Sequence, residues 1–195
     1  MAGRVQYYCA SSLDGFIAES DDTLAWLTGY QGSYDGADAE ASPMQDGGSY
    51  ERFYDGVGAL VMGSATYRFL LDHQAGGGSW PYAGKPTWVL TSRDLPEPEG
   101  EDADVRIGPA KVEDIHDETL AAAGERDVWL VGGGNVASQY ADAGLLDELL
   151  LTIVPVVLGQ GKPLFDRRLP AGAMQLTGTS VFGNGMVELR YEIAR

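Results

Sequence analysis

Three short apolar segments of this chain end in small or hydroxyl-bearing residues just where a helix or turn should begin. The three junctions are Ala59–Met62 into Gly63-Ser64-Ala65-Thr66, Thr87–Leu90 into Thr91-Ser92-Arg93, and Val128–Val131 into Gly132-Gly133-Gly134. Continuous apolar runs bounded by glycine are typical of buried strands in a parallel sheet. The carboxyl ends of parallel strands meet at one edge, where open α/β sheets bind their ligands. The junctions therefore predict an α/β fold with a ligand site along that edge.

The strongest of these junctions is the triple glycine at Gly132, which is followed by the helical sequence beginning at Asn135 and Val136. Glycine lets a phosphate come close to the backbone, and a helix N-terminus offers free N–H groups and partial positive charge. The alternative interpretation is an ordinary tight turn between strand and helix. The segment is not a G-x-G-x-x-G fingerprint, and no acidic ribose-binding residue follows at the usual interval.

The other segments complete a mostly parallel mixed sheet with helices on both faces, folded as one domain over residues 1–195. Further predicted strands are Arg4–Ala10, Phe16–Ala18, Val105–Ile107 and Glu148–Val154. Predicted helices are Tyr50–Val57, Thr66–Asp72, Val112–Ala123 and one ending at Ala143. Met174–Thr179 and Met186–Ile193 are expected to form a closing antiparallel hairpin through Gly183-Asn184-Gly185. The Gly-, Asp- and Ser-rich stretch from Gly29 to Ser49 predicts a long loop, either a functional lid or a disordered segment.

Composition excludes several classes of function. The net charge of −16 argues against binding nucleic acid or anionic membranes, since both require clustered Lys and Arg. One cysteine and two histidines leave too few soft ligands for a transition-metal site, so no metal is expected. Cys9 lies in an apolar strand and is interpreted as a small buried hydrophobe. The start of the chain lacks a secretory pattern, and Leu145–Leu158 is interrupted by charges and Pro155, so a cytoplasmic protein is expected.

Five motifs, in order and spacing, resemble the dihydrofolate reductase-like superfamily. They are Ser12-Leu13-Asp14-Gly15-Phe16-Ile17-Ala18, Val61-Met62-Gly63-x-x-Thr66-Tyr67, Leu90-Thr91-Ser92-Arg93, Val131-Gly132-Gly133-Gly134 and Pro155-Val156-Val157-Leu158-Gly159-x-Gly161-x-Pro163-Leu164-Phe165. The last is similar to the branch containing the reductase domain of riboflavin biosynthesis enzymes. The resemblance spans nearly the whole chain and implies the three-layer fold of that superfamily.

The resemblance also implies NADPH, with NADH as an alternative, bound across the carboxyl edge. Pyrophosphate contacts would come from two helix starts: Gly63, Ser64, Ala65 and Thr66 at one, and Gly132, Gly133, Gly134, Asn135 and Val136 at the other. Thr91, Ser92 and Arg93 would face the adenosine ribose, and Ala10 and Ile17 the nicotinamide. The family joins the two glycines of its strand-end motif by a cis peptide. A homodimer is common in this branch.

Two positions depart from the family pattern. Ser64 stands where an arginine commonly helps to bind the adenosine 2′-phosphate, so a preference for NADPH rests mainly on Arg93. Gln31 stands where true dihydrofolate reductases carry the substrate-binding carboxylate. The second departure favours the riboflavin-type branch over folate reduction.

Hydride transfer needs positioning and, for an alcohol or amine product, a proton source. Asp14 is the candidate proton donor or substrate anchor, and the alternative is a purely structural Asx turn. Trp26 and Tyr30 are candidates for a substrate wall, although the core is favoured for Trp26. His73 and Trp80 flank a glycine loop and are candidates to cap the pocket.

The predicted function is reduction of a small heterocyclic or ribosyl substrate, resembling 5-amino-6-(5-phosphoribosylamino)uracil reductase. Cationic side chains available for a substrate phosphate are Arg52, Arg68, Lys85, Lys162, Arg167 and Arg168, without an obvious cluster in sequence. The alternatives are a stand-alone reductase of another pterin-like or carbonyl compound, and a nucleotide-binding regulatory module without turnover.

Overall fold

The computed structural model describes residues 3–44, 48–75, 79–100 and 102–194, apart from the side chains of His73 and Ala75. The strands are β1 (Val5–Ser12), β2 (Phe16–Ala18), β3 (Val57–Gly63), β4 (Thr87–Leu90), β5 (Val105–Gly108), β6 (Asp127–Gly132), β7 (Glu148–Val154), β8 (Lys162–Pro163), β9 (Met174–Val181) and β10 (Val187–Ile193). The helices are α1 (Ala25–Thr28), α2 (Ser49–Asp55), α3 (Ser64–Ala75), α4 (Val112–Ala123) and α5 (Gly134–Asp142).

Eight of these strands form one sheet in the order β5-β4-β3-β6-β1-β7-β10-β9. The first six run parallel, whereas β10 pairs antiparallel with both β7 and β9. A short second sheet pairs β2 with β8. The predicted α/β class, with a mostly parallel mixed sheet and a closing antiparallel hairpin, is confirmed.

Side chains alternate across the sheet and bury apolar surface on both faces. On one face, Tyr7, Val128 and their neighbours pack under α4 and α5. On the other, Tyr8 and Trp129 pack under α2 and α3. This arrangement confirms the three-layer prediction, and it accounts for β3, six of whose seven residues are buried.

Several boundaries differ from those predicted. β1 continues to Ser12 because it pairs along its whole length with β7, and that pairing is not visible in the local sequence. α1 and β8 were not predicted, since each is too short to show a periodic pattern. Trp80 is 3% exposed and packs edge-on against Tyr67 and Tyr82 in the core. The prediction that it caps a pocket is therefore wrong, and the side chain of His73 lies outside the described residues.

The stretch predicted as a functional lid or a disordered segment contains residues 30–44, which are hydrogen-bonded to the end of the C-terminal hairpin and which we call the strap. The amide of Tyr34 donates to the carbonyl of Gly183 at 2.8 Å, and the amide of Glu40 to that of Val181 at 2.8 Å. Asn184 Nδ2 donates to Ser42 Oγ at 3.0 Å. The strap thus lies against the end of β9 and the turn between β9 and β10.

None of the helices in the described ranges has the length and apolar character needed to cross a membrane.

Candidate functional site

The three predicted strand ends adjoin one another at the carboxyl edge of the sheet. Gly132 is the register partner of Met62, and Gly63 is the partner of Leu90. Leu90 in turn partners Gly108 at the end of β5. The strand ends β6, β3, β4 and β5 therefore form a continuous border, as the sequence predicted for the first three.

Two helices begin at this border, close to each other and to the ends of β6 and β3. A Cβ on Gly132 would stand 2.8 Å from Thr66 Oγ1 at the start of α3. A Cβ on Gly63 would stand 3.4 Å from Val136 Cγ2 in the first turn of α5. The N-termini of α3 and α5 thus lie side by side, with their unpaired amides at the same border. That is the arrangement a pyrophosphate requires.

The backbone of the triple glycine differs in one respect from the family pattern. Gly133 has φ +92° and N-caps α5, a conformation that favours glycine. All peptide bonds of the described residues are trans, so the cis peptide implied by the resemblance is absent there. In this chain the positive φ of Gly133 makes the turn.

The predicted residues of α5 divide between two surroundings. Gly132, Gly133 and Val136 border the start of α3, whereas Gly134 packs beneath the carbonyls of Pro163 and Leu164. Asn135 Nδ2 donates to Asp166 Oδ2 at 2.6 Å, and Gln139 Nε2 donates to Asn135 Oδ1 at 2.7 Å. The Asn135 side chain therefore holds the segment around Asp166, and Asn135 offers a cofactor chiefly its backbone.

Two adjoining clefts extend the border past β4 and β5. They measure about 380 Å³ and 460 Å³, and both are lined by Thr91, Ser92 and Pro109. Arg93 lines the first cleft and Lys111 the second. Both cations are exposed, and neither forms an ion pair within the described residues. The carboxylates of Asp94, Glu97 and Asp114 also line these clefts.

Lys111 was missed by the sequence analysis, as was Gln139, which lines the second cleft. A signal for Lys111 was present. β5 is followed at once by Pro109, Ala110 and Lys111, and the residues after a parallel strand lie at the same edge as those after its neighbours. The position of Gln139 depends on how α5 packs, which the local sequence does not indicate.

At the other end of the border, Ala10 packs in a small apolar cluster around Val154, Phe182 and Met186. Trp26 and Tyr30 belong to the same cluster, in agreement with the expectation that Trp26 is core. Tyr30 Oη donates to the carbonyl of Asn184 at 3.1 Å. The Trp26 Nε1 is buried without a hydrogen-bond partner in the described residues. A buried N–H that lacks an acceptor is unusual, and Trp26 thereby remains a candidate to donate to a ligand.

Asp14 is exposed and its carboxylate accepts three hydrogen bonds. Ser12 Oγ donates to Oδ1 at 2.7 Å, the amide of Leu158 to Oδ1 at 3.1 Å, and the amide of Gly159 to Oδ2 at 2.7 Å. The bond from Ser12, followed by those from the two amides, lowers the pKa of Asp14 below its ordinary value. These contacts favour the ionised form and the structural alternative, in which Asp14 ties the β1–β2 turn to the loop after β7.

The cations expected near a substrate phosphate do not converge. Lys85 Nζ lies 4.4 Å from the centroid of the Tyr54 ring and donates to the Tyr54 carbonyl at 3.3 Å. Arg52 pairs with Glu40 at 3.9 Å, and Arg167 pairs with Asp142.

The described part of the chain contains no cluster of three or more His, Cys, Asp or Glu side chains that could hold a metal ion.

The sheet order, the two helix starts and the glycine-lined border define a protein of the dihydrofolate reductase-like fold. A family model, described as the RibD C-terminal domain, matches residues 63–188. The chain belongs to this family, and the suspected superfamily and branch are confirmed.

Individual proteins resemble the chain over nearly its full length. It is 28% identical to the uncharacterized protein YwjB of Bacillus subtilis, across 98% of each chain. In structure it is similar to a putative riboflavin biosynthesis protein from Shewanella sp. PV-4, with a TM-score of 0.75, 25% identity and coverage of 98% and 99% of the two chains. It is also similar to dihydrofolate reductase from Enterococcus faecalis, solved with NADP(H), with a TM-score of 0.58, 20% identity and coverage of 100% and 99%.

Proposed function

We propose that this protein is an NADPH-dependent reductase of a small heterocyclic or ribosyl substrate, acting in the manner of 5-amino-6-(5-phosphoribosylamino)uracil reductase. The observation that carries the proposal is the border where Gly132 meets Thr66 and Gly63 meets Val136. Close approach of backbone, two helix N-termini and adjoining clefts together fit a dinucleotide. Membership in the RibD C-terminal domain family supports a reductase.

In this proposal, residues along the border would hold the cofactor. Gly63–Thr66 and Gly132–Val136 would hold the pyrophosphate through backbone amides and the hydroxyls of Ser64 and Thr66. Thr91, Ser92 and Arg93 would hold the adenosine end, and Ala10 and Ile17 would lie against the nicotinamide. When bound, the reduced nicotinamide supplies a hydride. The task of the chain is to place the substrate carbonyl against it and to keep competing water out.

The preference for NADPH is supported by the two cations of the adenosine clefts. A 2′-phosphate needs positive partners, and Arg93 and Lys111 each line one of the two adjoining clefts without an ion pair to any described residue. The acidic side chains of the same clefts, Asp94, Glu97 and Asp114, instead suit the 2′-hydroxyl of NADH. We infer that the cations decide the preference.

The test is a titration with NADPH and NADH followed by cofactor oxidation assays. The protein should bind NADPH and oxidise it when given 5-amino-6-(5-phosphoribosylamino)uracil. No detectable cofactor binding would remove the proposal. Size-exclusion chromatography with light scattering would test the homodimer, which we also propose.

Two alternative functions each have an observation in their favour. The dispersal of Arg52, Lys85 and Arg167 favours an unphosphorylated pterin-like or carbonyl substrate. Oxidation of NADPH with such compounds, and not with the ribosyl pyrimidine, would identify that reductase. The commitment of Asp14 to three hydrogen bonds favours a regulatory module that binds cofactor without turnover. Tight NADPH binding without oxidation by any of these substrates would support the module.

A further inference from the structure

A carboxylate is buried on one face of the sheet, two strands from the proposed nicotinamide position at Ala10. Glu188 on β10 is 1% exposed. Its Oε2 accepts hydrogen bonds from Tyr8 Oη at 3.1 Å and from Ser49 Oγ at 3.0 Å. Its Oε1 accepts from Arg190 Nε at 3.3 Å and Nη2 at 3.2 Å. No local sequence pattern indicates this cluster, because its members come from β1, α2 and β10.

The strand registers place Glu188 in one row with Ala10. Ala10 is the partner of Thr152 on β7, and Thr152 is the partner of Glu188 on β10. Directly paired residues point to the same face of a sheet. Glu188 therefore lies two strands from Ala10 on the same face, about 10 Å away at the usual strand spacing. A substrate placed against a nicotinamide at Ala10 would extend over this row.

The two oxygens of Glu188 differ in how easily a ligand can replace their partners. Arg190 supplies a permanent positive charge to Oε1, which offsets the cost of burying the carboxylate. Oε2 is bound only by hydroxyls, which rotate and exchange partners without loss of charge balance. Burial first, and then the charge of Glu188, raises the pKa of Tyr8 to about 12. Tyr8 therefore stays a neutral hydrogen-bond donor near pH 7.

Aromatic side chains of α2 pack against Tyr8, one of the two hydroxyl donors to this acceptor. The ring of Phe53 on α2 lies 4.6 Å from the ring of Tyr8, and the ring of Tyr50 lies 6.3 Å from it. Ser49, the first residue of α2, contacts Glu188 directly. A ligand can therefore reach Oε2 only if the start of α2 shifts away from Glu188. The rings beside Tyr8 would then offer flat apolar surface to a planar ring that carries N–H donors.

We propose that Glu188 recognises the ring of the substrate, with Oε2 accepting adjacent N–H groups of an aminopyrimidine in place of the hydroxyls of Tyr8 and Ser49. This inference rests on the proposed function, because it assumes a substrate placed against Ala10. It assigns the substrate class: a ring whose neighbouring N–H groups face a carboxylate. It also excludes rings that present only acceptors at that edge, since these would meet the buried negative charge.

The test is equilibrium binding of 5,6-diaminouracil and of its N1-methyl derivative to the protein saturated with NADP⁺, by calorimetry. The wild type should bind the parent base at least about tenfold more tightly than the methylated one. Glu188→Gln should weaken binding of the parent base by about 10- to 100-fold and reduce the methylation penalty to about twofold. Glu192→Gln, an exposed glutamate on the same strand, is the matched control and should change neither value.

A second pair of variants keeps Glu188 in place, so its result does not depend on whether Glu188→Gln folds. In these variants the affinity for the base is expected to stay the same or rise, whereas Glu188→Gln lowers it. Tyr8→Phe and Ser49→Ala each remove a hydroxyl that competes for Oε2, so each should leave binding of the base unchanged or tighten it by a few-fold. Weaker binding in both would indicate that the cluster only anchors α2, and would overturn the proposal. So would a Glu188→Gln protein that folds and retains the full methylation penalty.

The experiments distinguish a wrong role for Glu188 from a wrong proposed function. Wild-type protein that oxidises NADPH with the ribosyl pyrimidine, combined with unchanged base binding in Glu188→Gln, would overturn the role of Glu188 alone. Wild-type protein that neither binds 5,6-diaminouracil nor reduces the ribosyl pyrimidine would overturn the proposed substrate class together with this inference.

Discussion

Thr66 Oγ1 lies 2.8 Å from the position that a Cβ on Gly132 would occupy. A side chain at Gly132, at the end of β6, would therefore have to displace the Thr66 hydroxyl at the start of α3. A charged substitution at Gly132 would produce a packing clash together with charge repulsion, and its effect on cofactor binding would have two causes. A test of the proposed phosphate site needs a position with more room at the same border.

Ser64 provides that position, because it is half-buried and begins α3. Ser64→Asp places a carboxylate where the pyrophosphate is proposed to bind, so the Kd for NADPH should rise by more than about tenfold. A carboxylate at a helix N-terminus interacts favourably with the helix dipole and stabilises the helix, so the Tm of Ser64→Asp should equal or exceed that of the wild type. Calorimetric titration and thermal unfolding measure the two effects.

The matched control for this experiment is Ser64→Ala, which removes the hydroxyl without adding charge. Its Kd for NADPH should change by only a few-fold. Undiminished NADPH affinity in Ser64→Asp would show that no phosphate lies at the start of α3. A large fall in Tm would instead attribute the loss of binding to damage of the fold.

Arg93 and Lys111 are predicted to select NADPH over NADH. Arg93→Ala and Lys111→Ala should each raise the Kd for NADPH by about tenfold, because each removes a charged partner of the 2′-phosphate. The Kd for NADH should change by no more than about twofold, since NADH lacks that group. Fluorescence titration with both cofactors gives the ratio.

Arg126→Ala is the control for this pair, because Arg126 is exposed beside the start of β6, at the opposite edge of the sheet. It should leave the ratio unchanged. Equal losses for both cofactors in the cleft variants would assign Arg93 and Lys111 to the ribose or pyrophosphate and would contradict the selection.

The parts of this fold that the sequence predicted are those in which a local pattern determines the outcome. The apolar run of β3 ending at Gly63 indicates both a buried strand and the glycine that closes it, without knowledge of any other segment. The same holds for β6 and Gly132. Because parallel strands share an edge, the border of the proposed cofactor site followed from these local patterns.

The parts that were missed depend on pairing between distant segments. Glu188 joins the Ala10 row only through the register of β10 with β7 and of β7 with β1. Asp14 accepts a hydrogen bond from the amide of Leu158, which lies 144 residues further along the chain. No local pattern encodes either contact. The strap was predicted as a loop because backbone hydrogen bonds such as those from Tyr34 to Gly183 and from Glu40 to Val181 join it to a distant segment, and these leave no periodic pattern in its own sequence.

Asp14 is predicted to stabilise the fold and to hold the loop after β7 in place through its hydrogen bonds to Leu158 and Gly159. Its folded-state pKa is lowered, so the carboxylate stabilises the fold at pH values above its unfolded pKa. That contribution is lost as the pH falls through the lower folded-state value. Asp14→Asn should therefore lower the Tm at neutral pH, and the difference from wild type should shrink below the ordinary pKa of an aspartate and vanish once the pH is below the folded-state pKa of Asp14. Thermal unfolding from neutral to strongly acidic pH measures the change.

Asp117→Asn, at an exposed position on α4, is the control and should follow the wild type throughout. The alternative role of Asp14 as a proton donor makes a different prediction. In that case kcat would fall by more than about 100-fold with an unchanged Tm and unchanged NADPH affinity. That pattern would contradict the structural role.

The strap is predicted to control access of substrate without affecting the cofactor. Pro43 accepts a hydrogen bond from the amide of Tyr50 at 3.1 Å, which ties the strap to the start of α2 and thus to Ser49 beside Glu188. Ser42 and Asn184 are hydrogen-bonded at 3.0 Å, so Ser42→Cys with Asn184→Cys places two thiols across this contact. The oxidised double variant should bind NADPH as the wild type does and bind 5,6-diaminouracil more slowly, because α2 cannot shift while the strap is held. Reduction with dithiothreitol should restore the wild-type association rate, and thiol titration reports whether the bridge has formed. A bridged protein that binds the base at the wild-type rate would show that substrate reaches the Glu188 row by another route.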